Sequence, residues 1–148
     1  MKQLLILCAI SLLTVTGTMH AFSAEKSVTW NAAQAQAQTD NLLDAAQKLV
    51  RECRTSPPNY SEVATSNTHL EFLYHVRHFR SVAAELSMAL ENGKGRDWTA
   101  PMYDELVDIM PDLKKYAIDN PRGAWVAVER AVIEADNALK ELGTSYAN

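Results

Sequence analysis

Four apolar stripes, each stepping by three and four residues, constrain this chain more than any other feature. In the first segment Leu42, Ala46, Leu49 and Cys53 step by four, three and four. In the second, Phe72, Val76, Phe79, Ala83, Leu86 and Leu90 alternate four and three without a break. Met102, Leu106, Ile109, Leu113 and Tyr116 repeat the pattern, and Trp125, Val128, Val132, Ala135, Leu139 and Leu142 continue it. At 3.6 residues per turn, such spacing places every member on one face of a helix. One apolar stripe per helix needs partners to bury it. The chain is therefore expected to be all-α: a single four-helix bundle, up-down-up-down, with helices over about 31–53, 69–92, 100–119 and 121–142.

Local chemistry supplies the expected boundaries. Thr68-His69-Leu70-Glu71 has the form of a capping box, with Thr68 as N-cap and Glu71 reaching back. Thr99 is placed to cap the third helix, and Asn120 the fourth, with Pro121 at its first position. Gly93 and Gly143 fall where left-handed C-terminal residues belong. Asp119-Asn120-Pro121 and the stretch from Gly93 to Trp98 are short connections, which predict antiparallel neighbours. The link from Arg54 to Asn67 is longer, and a helical turn around Ser61 to Ala64 is expected in it. Pro111 lies inside the third stripe and predicts a helix kinked or split near that residue. The tail Thr144 to Asn148 and residues 25–30 read as loosely held.

Residues 1–24 have the layout of a secretory signal: Lys2 in a short charged head, an apolar run from Leu4 to Val15, and small residues leading to Ala24. That run is too short to cross a bilayer, and no later one approaches the roughly 20 residues required. Removing the signal leaves residues 25–148 as one domain in the periplasm or secreted. Without Lys2, 13 basic residues face 18 acidic ones, a balance of −5. An acidic chain is poorly suited to binding nucleic acid. Cys8 leaves with the signal, so Cys53 has no intramolecular disulfide partner and is expected to be a buried thiol.

The remaining histidines are clustered. His69, His75 and His78 lie within ten residues. His75 and His78 are three apart and share a helix face, with Glu71 one turn before His75. Two imidazoles and a carboxylate at that spacing suit zinc or copper, and this triad is the candidate metal site. Glu105, Asp108 and Asp112 form an acidic stripe on the third helix that could add oxygens, although such a stripe is more often a solvated face. Leu70, Tyr74 and Met88 lie off the main stripe of the second helix and form the candidate interaction surface. Trp98 is expected to pack over the end of the bundle.

The outline resembles that of small periplasmic bundle cytochromes in architecture alone. That resemblance implies a haem held by Cys-x-x-Cys-His or by Met or His residues on the first and fourth helices. The sequence has no Cys-x-x-Cys-His, and neither helix carries Met or His. Glycine-rich phosphate loops, a nucleophile elbow and paired Glu-x-x-His motifs are also missing. The expectation is a non-catalytic binding or accessory protein, without a cofactor, that meets a protein partner in the cell envelope or pairs with itself. The alternatives are a transition-metal protein using His75 and His78, and a cofactor-less bundle or apolar-ligand carrier. The last would use space left by Ala32, Ala33, Ala35 and Ala37.

Overall fold

A computed structural model describes residues 30–55, 66–118 and 126–147. These residues form four helices and no strand: α1 (Ala32–Thr55), α2 (Ser66–Glu91), α3 (Arg96–Ala117) and α4 (Val126–Tyr146). Each of α1 and α3 packs against both α2 and α4. No helix among the described residues is long and apolar enough to cross a membrane.

The core is built from the stripes. Leu42, Leu49, Phe72, Val76, Phe79, Leu86, Leu106, Leu113, Val128, Val132 and Leu142 are all essentially sealed from water. Burying a side chain of this size contributes roughly 1.5–3 kcal/mol, so the stripes supply the main driving force for assembly. The first stripe begins earlier than its apolar residues suggest. Ala35 and Thr39 extend it upstream in the same four-three rhythm, and both are fully buried. Met102 and Tyr116, at the ends of the third stripe, are only half-buried.

The helix ends follow the expected chemistry in part. Asn31 caps α1: its Oδ1 accepts the backbone N–H of Gln34 at 3.1 Å. Gly93 closes α2 with φ +74°. Its N–H bonds the carbonyl of Leu90 at 2.8 Å, and that of Lys94 bonds Ala89 at 3.0 Å. This pair of bonds is a Schellman closure, which needs a residue in the left-handed region. Thr68 is not a cap, because α2 starts two residues before it at Ser66. Glu71 is drawn elsewhere, accepting a hydrogen bond from Tyr116 Oη at 2.9 Å.

Four further expectations are corrected at α3 and α4: the Thr99 cap, the split at Pro111, the stop at Gly143 and the loose tail. The N-cap of α3 is Gly95, not Thr99. Thr99 lies a turn inside the helix, where its hydroxyl donates to the helix backbone and accepts from Tyr146 Oη at 2.8 Å. α3 runs unbroken through Pro101 and Pro111, so the chain does not split at Pro111. α4 does not stop at Gly143 but continues to Tyr146. The described part of the tail is held rather than loose: Gln38 Nε2 donates to Thr144 Oγ1 at 3.2 Å, and Ser145 Oγ donates to Gln38 Oε1 at 2.6 Å. Tyr146 is buried and stacks on Tyr103, with centroids 4.5 Å apart and planes 3° from parallel. Gly143 serves helix contact instead of termination, because a Cβ there would sit 2.7 Å from Tyr103 Oη.

The expected Asn120 cap, Trp125, the Ser61–Ala64 turn and the signal segment lie outside the described residues. Trp98 is exposed beneath the Lys94 ammonium, 5.3 Å from its ring, rather than packed over the bundle. Trp30 takes the lid position, edge-on to Tyr146 at 5.3 Å. Ala32, Ala33 and Ala37 face solvent and only Ala35 enters the core, so these alanines line the surface rather than an internal space.

Candidate functional site

Helix α2 carries both residue groups singled out from the sequence, one on its outer face and one along its seam with α3. Leu70, Tyr74 and Met88 are 61%, 62% and 56% exposed, while the apolar stripe of the same helix is buried. They follow one line along the helix, since steps of four and fourteen residues return close to the same azimuth. The line spans about 27 Å at 1.5 Å per residue. Tyr74, one turn from Leu70, is braced by its neighbours. Its ring meets His75 edge-on at 5.6 Å and His78 edge-on at 5.8 Å. Such contacts restrict a large apolar side chain that would otherwise sample several rotamers in water.

The histidines themselves face α3. His78 Nε2 lies 2.7 Å from Glu105 Oε1, and His75 Nε2 lies 3.8 Å from Asp112 Oδ2. His75 also stacks on Tyr116, with centroids 6.3 Å apart. With the Tyr116–Glu71 bond, these pairs form a ladder across the α2–α3 seam. Two members of the acidic stripe on α3, Glu105 and Asp112, thus meet the imidazoles of α2. The hydrogen bond to Glu71 raises the Tyr116 pKa, followed by burial and the nearby charges of Glu71 and Asp112.

The ladder divides the predicted metal ligands. Glu71 binds Tyr116, while each histidine takes a separate carboxylate. Among the described residues, no group of three or more His, Cys, Asp or Glu side chains is arranged to hold a metal ion. The i, i+3 spacing placed the histidines correctly on one face, but spacing within a helix cannot report which partner the next helix offers.

Cys53 is a buried free thiol. Burial, with a smaller contribution from Glu52, pushes its pKa up to about 12. It is therefore protonated at neutral pH and a poor nucleophile. Arg51 and Arg54 do not reverse that shift.

The sequence reading missed a second group between α3 and α4. Asp136 is only 8% exposed, and its Oδ2 accepts from Lys114 Nζ at 2.9 Å and Lys140 Nζ at 2.7 Å. Burial alone would raise its pKa, but the hydrogen bonds and charges of Lys140 and Lys114 together outweigh it and lower the pKa. The one available signal was the i, i+4 pair Asp136–Lys140. Comparison of the chain with protein-family models, curated proteins and solved structures finds no match.

Proposed function

We propose that this chain is a small exported, periplasmic protein, non-catalytic, that acts by contact with another protein of the cell envelope. In this reading residues 1–24 are a signal peptide removed after Ala24, and residues 25–148 are the working domain. The domain is an up-down-up-down bundle with α3 bent at Pro111. Side-chain pairs support that topology. Residue numbers rise on α2 as they fall on α3 from Glu71–Tyr116 to His78–Glu105. The same holds on α1 and α4 from Gln38–Thr144 to Lys48–Glu134.

The contact surface is the outer face of α2, with Tyr74 as its anchor. The observation that carries this reading is the exposed line of Leu70, Tyr74 and Met88 on a helix whose other face is fully packed. A large side chain braced before binding, as Tyr74 is, lowers the entropy cost of association. The partner is a protein with a complementary apolar surface, and a second copy of this chain meets the same description. Tyr74→Glu with Met88→Glu should abolish partner capture and any self-association while leaving the thermal melt unchanged. Capture at the parental level by the double variant would refute the surface. Transition-metal binding through His75 and His78 remains the alternative to exclude, by comparing zinc and copper titrations of the parent with His75→Ala, His78→Ala.

A further inference from the structure

A cleft of about 260 Å³ lies between α3 and α4, away from the α2 surface. Tyr103, Val107 and Pro111 of α3 and Leu139 of α4 contribute apolar wall, and Val107 is exposed. The charged groups in the lining are Lys114, Lys140 and Asp136. Both ammonium groups donate to the same oxygen of Asp136. Two cations on one carboxylate leave a local surplus of one positive charge. That surplus stands on a chain whose overall charge is −4. Each ammonium has three N–H donors, and the bond to Asp136 uses one of them.

The arrangement has the parts of a small-ligand site: an apolar wall with a few convergent polar donors at one place. The sign of the surplus selects an anionic head group. The volume sets the body. A cavity of about 150 Å³ accommodates benzene, with six heavy atoms, so this cleft suits a ligand on the order of ten. We propose that the α3–α4 cleft binds a small organic monocarboxylate with an apolar body, its carboxylate on Lys114 and Lys140 and its chain against Val107, Pro111 and Leu139. Asp136 has two roles in this cleft. It holds the two ammonium groups together, and it competes with the ligand for them.

That competition gives the test an unusual sign. Octanoate, with ten heavy atoms, is titrated into the full chain at low salt, followed by calorimetry and by amide chemical shifts. Binding is expected, with shifts centred on Val107, Lys114, Leu139 and Lys140 and leaving Leu70 and Tyr74 unmoved. Octylamine of similar size should bind at least tenfold more weakly. Lys114→Met with Lys140→Met should weaken octanoate about tenfold or more, the scale of a lost charge-assisted pair. Asp136→Asn should tighten octanoate several-fold, because the competing carboxylate is gone while an oxygen acceptor remains. Val107→Asp, on the exposed wall, should abolish binding without touching the lysines. Far-UV circular dichroism checks that each variant is folded. If Asp136→Asn does not fold, the double lysine variant and Val107→Asp still decide. No octanoate binding by the parent, equal binding of octylamine, or weaker binding by folded Asp136→Asn would each overturn the proposal. Shifts centred on α2 would do the same.

Discussion

Gly143→Ala should destabilise this protein, although the substitution sits inside a helix where it normally helps. Replacing a helical glycine by alanine gains about 1 kcal/mol, because glycine surrenders the most backbone freedom on folding. Here the added Cβ would lie 2.7 Å from Tyr103 Oη, whereas ordinary contact begins at 3.4 Å. The ring must move, and it is stacked face to face on buried Tyr146. Overpacking of this kind costs typically about 1–3 kcal/mol. Taking the middle of that range, the net loss is about 1 kcal/mol. Removing the hydroxyl should reverse the sign. In a Tyr103→Phe background the nearest ring atom, Cζ, lies 3.7 Å from the new Cβ, an ordinary contact. Gly143→Ala should then stabilise by nearly the full helix term, giving a coupling of about 2 kcal/mol between the two positions. Urea denaturation of the four proteins measures it, with the slope unchanged across the set. A Gly143→Ala variant more stable than the parent, or a coupling near zero, would refute the close approach of α3 and α4 at this point.

Other consequences are simpler to check. Tyr146→Phe removes the bond to Thr99 Oγ1 from a buried site and should cost about 1 kcal/mol by denaturant titration. The folded pKa of Asp136 lies below its ordinary value, so its contribution to stability is complete above the unfolded pKa and is lost as pH falls through the folded one. A melting series between neutral pH and pH 2 should therefore show an acid loss in the parent that is smaller in Asp136→Asn. Thr39 Oγ1 is buried without a hydrogen-bond partner among the described residues. Thr39→Val keeps the shape, removes that orphan group, and should raise stability by about 1 kcal/mol in the same denaturant assay.

What could be read from the sequence divides by range. Helix faces are local properties, set by residues three and four apart, and the stripes through Leu42, Phe79, Leu106 and Val132 entered the core as spaced. Punctuation residues are less decisive, because tertiary contact can reassign them. Gly93 has no Cβ neighbour to satisfy and does close a helix with positive φ. Gly143 has the same identity but faces Tyr103, so packing claims it and α4 runs on to Tyr146. The step of four from Leu142 to Tyr146 was a visible sign that the stripe continued. Thr99 was likewise drawn from cap to core by Tyr146, which no rule of spacing within α3 could supply.

The candidate sites divide in the same way, and this bears on which functional reading to test first. Leu70, Tyr74 and Met88 could be found from the sequence because exposure off a stripe is a property of one helix. Metal binding by His75 and His78 required a third ligand from a fixed position, and that depends on a second helix. α3 does provide carboxylates there, but it provides Asp112 to one histidine and Glu105 to the other, seven residues apart. Two full turns of α3 separate those acids by about 10 Å along the axis, at 1.5 Å per residue. A single ion with ligand bonds of about 2 Å cannot draw both carboxylates onto the two imidazoles without breaking a rung of the ladder. The ladder also holds the two histidines that flank Tyr74, so under the proposed contact function loosening it should weaken capture at α2. Glu105→Gln retains a hydrogen-bond acceptor for His78 while Glu105→Ala does not, so capture should survive the first and fall in the second. Equal loss in both would separate the surface from the ladder and leave Tyr74 to act without its support.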